Sequence, residues 1–371
     1  MKFTVSTKPL SDALDLGVVN ANVSKFYKLS EVAQVTATKH ALIINLSASQ
    51  ITTEIKLSGL GTEDGEVRRF VSCVLLKQLV HTFDANTTDL EFVDGGIVLY
   101  SGKSKFVLPQ VSDDDEDSQI SRPSIPEYSA PQITLDVAAW KFVKDKQMFA
   151  AAMSFVKPVY TMAWIGQSGD IVVGDFDSSL FTLSKKGTLG TTCLLTDTAI
   201  NMLTAAPEGS RLVKLDNSYL IQIKQDSFEL VSEFKPRYET DENLGSYHSD
   251  IIIDMINNNK SGGIKVPVAP INKFISQVDI ISTGTDASIV VKVENGNFYL
   301  SNANSNYSVQ GLNPEDNISE YSLEFNLNQL KSVLNDFDGE SVTICPCTNE
   351  NEVVGIVVYD SNLSIMVAGV D

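Results

Sequence analysis

Three short apolar strands, each leading into a polar or proline start and then a helical pattern, lie at nearly equal intervals along the chain. Phe3-Thr4-Val5 precedes a helical pattern from Thr7 to about Val19. Ile133-Thr134-Leu135 precedes one from Asp136 to about Met153, and Ile264-Lys265-Val266 precedes one from Pro267 to about Ile281. The three openings are 130 and 131 residues apart. A fixed period of this kind means that one structural unit is used repeatedly, so it constrains the fold more than any single motif does.

The unit recurs inside each third. Phe70-Val71-Ser72 leads into a helix from Cys73 to Phe83, Cys193-Leu194-Leu195-Thr196 into one from Asp197 to Leu203, and Leu323-Glu324-Phe325-Asn326 into one from Leu327 to Phe337. Ser72, Thr196 and Asn326 each suit an N-cap, because their side-chain oxygens can accept an otherwise unpaired helix amide. Leu327, Leu330, Val333, Leu334 and Phe337 make one apolar stripe at helical spacing.

Alternating strands follow each helix. Leu90 to Val93 turns at Asp94-Gly95-Gly96 into Ile97 to Tyr100, with Lys105 to Leu108 next. Leu212 to Leu215 turns at Asp216-Asn217-Ser218 into Tyr219 to Ile223. Val342 to Ile344 precedes Val354 to Val358 and Leu363 to Val367. Such turns between alternating runs read as hairpins. The expected class is α+β, with six strand–helix–strands units, two to a domain.

Two segments read as linkers. Pro109 to Pro126 holds the acidic block Asp113 to Asp117 and ends Arg122-Pro123-Ser124-Ile125-Pro126; about Pro236 to Gly263 is acidic, then rich in Asn and Gly. Inside the second, Ile251 to Ile256 is apolar and fits either a helix or a strand. The expected domains are residues 1–122, 123–245 and 246–371, each close to an ordinary domain length.

The net charge is −19 over 371 residues, which at first sight argues against a nucleic-acid binder. Cys73, Cys193, Cys345 and Cys347 are few for so long a chain, as in a reducing compartment. Cys345 and Cys347 read as strand cysteines rather than zinc ligands, since His40, His81 and His248 are far off in sequence. No apolar run approaches the roughly 20 residues that span a bilayer, and the N-terminus lacks a signal-peptide core. The expectation is a cytoplasmic protein with no membrane partner, no metal and no cofactor. No nucleophile–base signature surrounds the histidines, and no phosphate-cradling glycine motif occurs, so no catalytic residue is expected. Asp175 and Asp177, on one face of a strand, leave open a metal-dependent hydrolase. His81, on its helix, would face DNA or solvent.

Three stretches resemble one family, the bacterial DNA polymerase III beta subunit, or beta sliding clamp. Met1-Lys2-Phe3-Thr4-Val5 is similar to the family's opening. Tyr100-Ser101-Gly102-Lys103-Ser104-Lys105-Phe106-Val107-Leu108 is similar to its serine-glycine-basic segment, and Phe325-Asn326 leading into Leu330, Val333 and Leu334 to a helix near its C-terminus. The resemblance implies three repeated DNA-clamp domains, each with two helices packed on antiparallel sheets, in a crescent. Two crescents would close head to tail as a homodimeric ring, with helices around double-stranded DNA and sheets outside. Such a ring is a non-enzymatic processivity factor whose partners are a DNA polymerase and a clamp loader.

The charge distribution agrees with that implication. A ring holds DNA by topology, so it needs only a mildly positive hole. Residues 137–157 carry four lysines against one aspartate, whereas residues 313–371 carry eleven acidic residues and one lysine. The DNA-facing candidates are Lys25, Lys28, Lys77, Lys141, Lys144, Lys146, Lys157, Lys273 and Lys331. By resemblance the partner-peptide pocket would include Leu180, Pro236, Ile365, Met366, Val367, Ala368 and Val370, although the last strand also reads as plain core. By the same resemblance Phe106 and Leu108 would meet Ile280 and Ile281 of a second copy across the ring contact, although all four also read as internal core.

The chain departs from the family pattern in three places. Ser178-Ser179 replaces a His/Tyr-Arg pair, the tail lacks the usual methionine-proline ending, and a segment of about a dozen residues is added between the second and third domains. These departures fit a divergent member, as a phage would encode. The alternative is a repeated β-rich structural or interaction protein such as a virion component, which predicts no helix after each repeat's first strand.

Overall fold

The protein is described by a computed structural model covering residues 1–18, 32–48, 51–111, 120–124, 130, 132–134, 140–145, 163–175, 179–183, 193–235, 249–282, 287–312, 318–349 and 352–370. It divides into two compact units, Met1–Lys144 with Lys186–Glu242, and Asp145–Lys185 with Asn243–Asp371.

The opening strand of each third pairs antiparallel with the strand that follows that third's second helix. Lys2–Ser6 pairs with Thr87–Val93, placing Phe3 opposite Leu90; Gln132–Thr134 pairs with Arg211–Lys214, placing Ile133 opposite Leu212; Ile264–Pro267 pairs with Ser341–Asn349, placing Ile264 opposite Ile344. The repeat read from sequence spacing is therefore a repeat of strand register. All six of these facing residues are buried, so slipping the register by one would turn the apolar sets toward water.

Helices follow as expected. Thr7–Gly17 packs beside Cys73–His81, and Val268–Ile281 beside Leu327–Leu334. Residues 140–145 are helical, and the Trp140 carbonyl accepts from Thr204 Oγ1 at 3.4 Å on the Asp197–Ala205 helix. The three N-caps are formed. Ser72 Oγ accepts the Leu75 amide at 3.3 Å, Thr196 Oγ1 the Ala199 amide at 3.4 Å, and Asn326 Oδ1 the amides of Asn328 and Gln329 at 3.0 and 3.2 Å. Helices that follow the first strand in the first and third repeats remove the feature that the β-rich structural alternative required.

In the first unit, one sheet runs Leu60–Gly61, Lys2–Ser6, Thr87–Val93, Gly96–Ser101, Ser104–Pro109. The other runs Gln132–Thr134, Arg211–Lys214, Tyr219–Lys224, Phe228–Phe234, Ile51–Ser58, Ala41–Ala48, Val32–Ala37, Val67–Ser72. This second sheet joins two thirds of the chain, because Phe228–Phe234 pairs along its whole length with Ile51–Ser58. Thr53 and Ser232 share a buried hydroxyl–hydroxyl hydrogen bond of 2.8 Å across that seam.

The second unit repeats the device. Ser179–Leu183 pairs with Leu363–Ala368, tying a strand of the middle third to the last strand of the chain. The order there is Ala163–Ile165, Ile171–Asp175, Ser179–Leu183, Leu363–Ala368, Glu352–Tyr359, Ser341–Asn349, Ile264–Pro267. A four-stranded sheet runs Ser305–Gln310, Asn297–Asn302, Ser288–Glu294, Tyr321–Asn326. Continuous sheets across the seams explain why compact units do not follow the thirds. The Asp94-Gly95 turn, with Gly95 at φ +85°, has a counterpart in Asn295-Gly296, where φ is +50° and +72°. Positive φ at both central residues, as at Asn295-Gly296, makes a type I′ hairpin turn, whereas at Asp94-Gly95 only the glycine is positive.

Candidate functional site

Described helices carry five of the nine lysines that the sequence assigns to DNA: Lys77, Lys141, Lys144, Lys273 and Lys331. Lys77 and Lys331 occupy the same place in the repeat, five residues after the caps Ser72 and Asn326. Neither is a bare cation. Lys77 Nζ lies 3.1 Å from Asp15 Oδ1 on the neighbouring Thr7–Gly17 helix, and Lys331 Nζ lies 2.6 Å from Asp279 Oδ2 on the neighbouring Val268–Ile281 helix. The same Asp15 oxygen accepts from His81 Nε2 at 2.7 Å, and His81 Nδ1 lies 3.2 Å from Ser11 Oγ. His81 thus ties two helices together and is not simply turned to solvent. Sequence reasoning missed the two aspartates because their partners lie more than fifty residues away.

Lys141 and Lys273 are exposed on their helices, and Lys144 is partly exposed. Lys25, Lys28, Lys146 and Lys157 lie outside the described residues, as do Pro236 and Asp177. Asp175 ends the Ile171–Asp175 strand. Among the described residues no group of three or more His, Cys, Asp or Glu is placed to hold a metal ion. Cys345 and Cys347 are buried residues of the Ser341–Asn349 strand.

The end of the chain resolves its two sequence readings by strand alternation. Ile365 and Val367 are fully buried, so their side chains are core and are not open to a partner. Met366 and Ala368 point to the opposite face and are partly exposed, and Val370, just beyond the strand, is 50% exposed. Leu180 is directly opposite Met366 in the pairing. Met366 is also opposite Val357, and its Sδ accepts from Cys347 Sγ at 3.6 Å.

A helix lies on this same face. The apolar run Ile251 to Ile256 belongs to the Ser249–Asn258 helix, which places Ile256, Ile253 and Met255 on a patch containing Val172, Val357, Cys347 and Met366. Burial there pushes the Cys347 thiol up, away from the reactive thiolate. At the helix end Asn259 Oδ1 accepts the Thr348 amide at 3.1 Å, and Lys260 Nζ sits 5.1 Å from the Tyr359 ring centroid. Burial pushes the Lys260 ammonium down, against the pull of the Asp170 carboxylate.

The ring-contact candidates divide. Ser104–Pro109 is an edge strand. Its Phe106 stacks on Phe83 with centroids 5.4 Å apart, and Val107 is 63% exposed. Leu108 is buried in the unit's own core, which corrects its assignment to the contact: alternation along the strand turns it inward and presents Val107 instead. Ile280 and Ile281 are 82% and 54% exposed at the end of the Val268–Ile281 helix. The neighbouring edge strand, Ser305–Gln310, repeats the aromatic brace, with Tyr307 stacked on Phe274 at 5.3 Å.

The whole chain is similar in structure to bacterial beta clamps. The Helicobacter pylori beta clamp bound to a DNA ligase peptide matches over 100% of both chains at 15% identity and a TM-score of 0.69. The DNA polymerase sliding clamp of Bacillus subtilis matches at 14% identity and a TM-score of 0.71, over 100% of this chain and 99% of its own. The DNA polymerase III subunit beta of Pseudomonas aeruginosa matches over 100% of both chains at 15% identity and a TM-score of 0.69. No family model and no curated protein matches the sequence. At these identities the likeness establishes the fold.

Proposed function

We propose that this chain is a DNA sliding clamp, a non-enzymatic ring subunit that holds a DNA polymerase on its template. The observation that carries the reading is the agreement of fold with beta clamps from end to end of both chains. Three clamp domains, with boundaries near residues 122 and 245, would form half a ring, and a second copy would complete it head to tail. The edge strand Ser104–Pro109, presenting Val107, would pair with Ser305–Gln310 of the other copy beside Ile280 and Ile281. Pairing would also cap two open strand edges that otherwise invite aggregation.

Lys25, Lys28, Lys141, Lys144, Lys146, Lys157 and Lys273 would supply the mild positive charge of the hole. Lys77 and Lys331 contribute less because aspartates neutralise them, which suits a ring that must slide. Tethering turns repeated encounters between polymerase and template into an intramolecular event, so processivity needs no chemistry from the clamp. Partners would dock by a short peptide at Leu180, Met366, Ala368 and Val370; a DNA ligase peptide is bound to the similar H. pylori clamp. A clamp loader would open the ring.

Retention on DNA tests the reading. Protein loaded on a nicked circular plasmid should stay bound through a high-salt wash and leave when the plasmid is cut once. Equal release from circular and linear DNA would refute topological binding.

A further inference from the structure

The face proposed for partner docking is not empty. The Ser249–Asn258 helix already covers part of it, and Met366 belongs both to the proposed docking set and to the patch under the helix. A ten-residue helix is marginal alone in water, so this one depends on the face it covers. Ile253 and Ile256, one turn apart, enter the apolar surface as a separate amphipathic helix would. Burial along residues 253–258 is one-sided. Of residues 253–258, Ile256 alone is fully buried, while Asp254, Asn257 and Asn258 are exposed. The helix also falls within the stretch from about Pro236 to Gly263 that the sequence reads as a linker.

We infer that the Ser249–Asn258 helix is an internal occupant of the partner site, and that a partner peptide binds there by displacing it. The inference rests on the docking reading above and deepens it. Displacement exchanges one apolar contact for another, so only a peptide offering more buried surface than Ile253, Met255 and Ile256 succeeds. Apparent affinity falls in proportion to the fraction of molecules with the face free. The helix therefore acts as a threshold that weak peptides fail to cross.

The test uses the full-length protein and a fluorescently labelled DNA ligase peptide of the kind bound by the H. pylori clamp. Ile256→Asp should tighten peptide binding by about tenfold or more, the factor expected when a site occupied nine times in ten is freed. The same substitution should speed labelling of Cys347 by a thiol reagent, while Cys73 and Cys193, buried on other elements, stay protected and report an intact fold. In the unmodified chain, adding peptide should accelerate amide hydrogen exchange across residues 249–258. That measurement needs no variant, so it decides the matter even if Ile256→Asp misfolds. Equal affinities with unchanged exchange overturn the inference and leave partner docking standing. Binding to neither protein overturns the docking reading and the inference with it.

Discussion

Glu233 is an acidic residue buried within a sheet, and its partners explain how the first unit tolerates it. Its Oε2 accepts the Ser124 amide at 2.8 Å and the Ser124 hydroxyl at 3.0 Å, its Oε1 accepts the Ser218 hydroxyl at 2.8 Å, and Lys235 lies 3.7 Å away. Burial pushes this carboxyl up, but the hydrogen bonds and Lys235 together outweigh burial and hold it below its ordinary value. A depressed carboxyl stabilises the fold at pH above its unfolded value, about 4.3, and that contribution vanishes as pH falls through the lower folded value. Glu233→Gln should cost about 1–2 kcal/mol at pH 7. The gap from the native protein should narrow as pH falls below about 4.3, read from urea unfolding at pH 7 and pH 3. Ser124 also anchors residues 120–124 to the sheet. The local sequence shows only Lys235 beside Glu233; the groups that hydrogen-bond it are 15 and 109 residues away.

At the scale of elements, what was legible was what is local. The caps Ser72, Thr196 and Asn326 announce their helices because an N-cap oxygen bonds to amides two or three residues on. The Leu327–Leu334 stripe follows from helical spacing, and Leu330, Val333 and Leu334 are all buried. Removing the Asn326 side chain with Asn326→Ala should therefore cost about 1 kcal/mol, visible as faster amide hydrogen exchange confined to residues 327–334. What stayed hidden depends on distant partners. The pairing of Phe228–Phe234 with Ile51–Ser58 leaves no trace in the periodicity of either strand. Nor does the Ile251 to Ile256 run say whether it will be helix or strand: the choice is made by the apolar face it covers. Asp15 and Asp279 look like ordinary solvated positions until the neighbouring helix brings Lys77 and Lys331 against them.

At the scale of the whole molecule, burial separates residues that hold one copy together from those proposed to join two. Leu108 resembles a contact residue in its motif, yet it is fully buried, so Leu108→Asp should unfold the first unit whatever the oligomeric state. Ile280 and Ile281 are mostly exposed and contribute little to the fold of their own unit. A pair of exposed isoleucines at the end of one helix exposes apolar surface for no benefit to a monomer, and burial against a second copy would recover roughly 1.5–3 kcal/mol for each side chain. A closed ring contains this contact twice, so the double substitution Ile280→Asp, Ile281→Asp removes it at both joints. It should halve the mass seen by light scattering, from a dimer of 40.4 kDa chains to the single chain, while leaving circular dichroism and the denaturation midpoint of the monomer unchanged. Retention on nicked circular plasmid should be lost at the same time, because a tether that depends on closure fails when either joint opens. A native protein already monomeric at micromolar concentration, and unaffected by the substitutions, would remove the ring from consideration while leaving the fold as described.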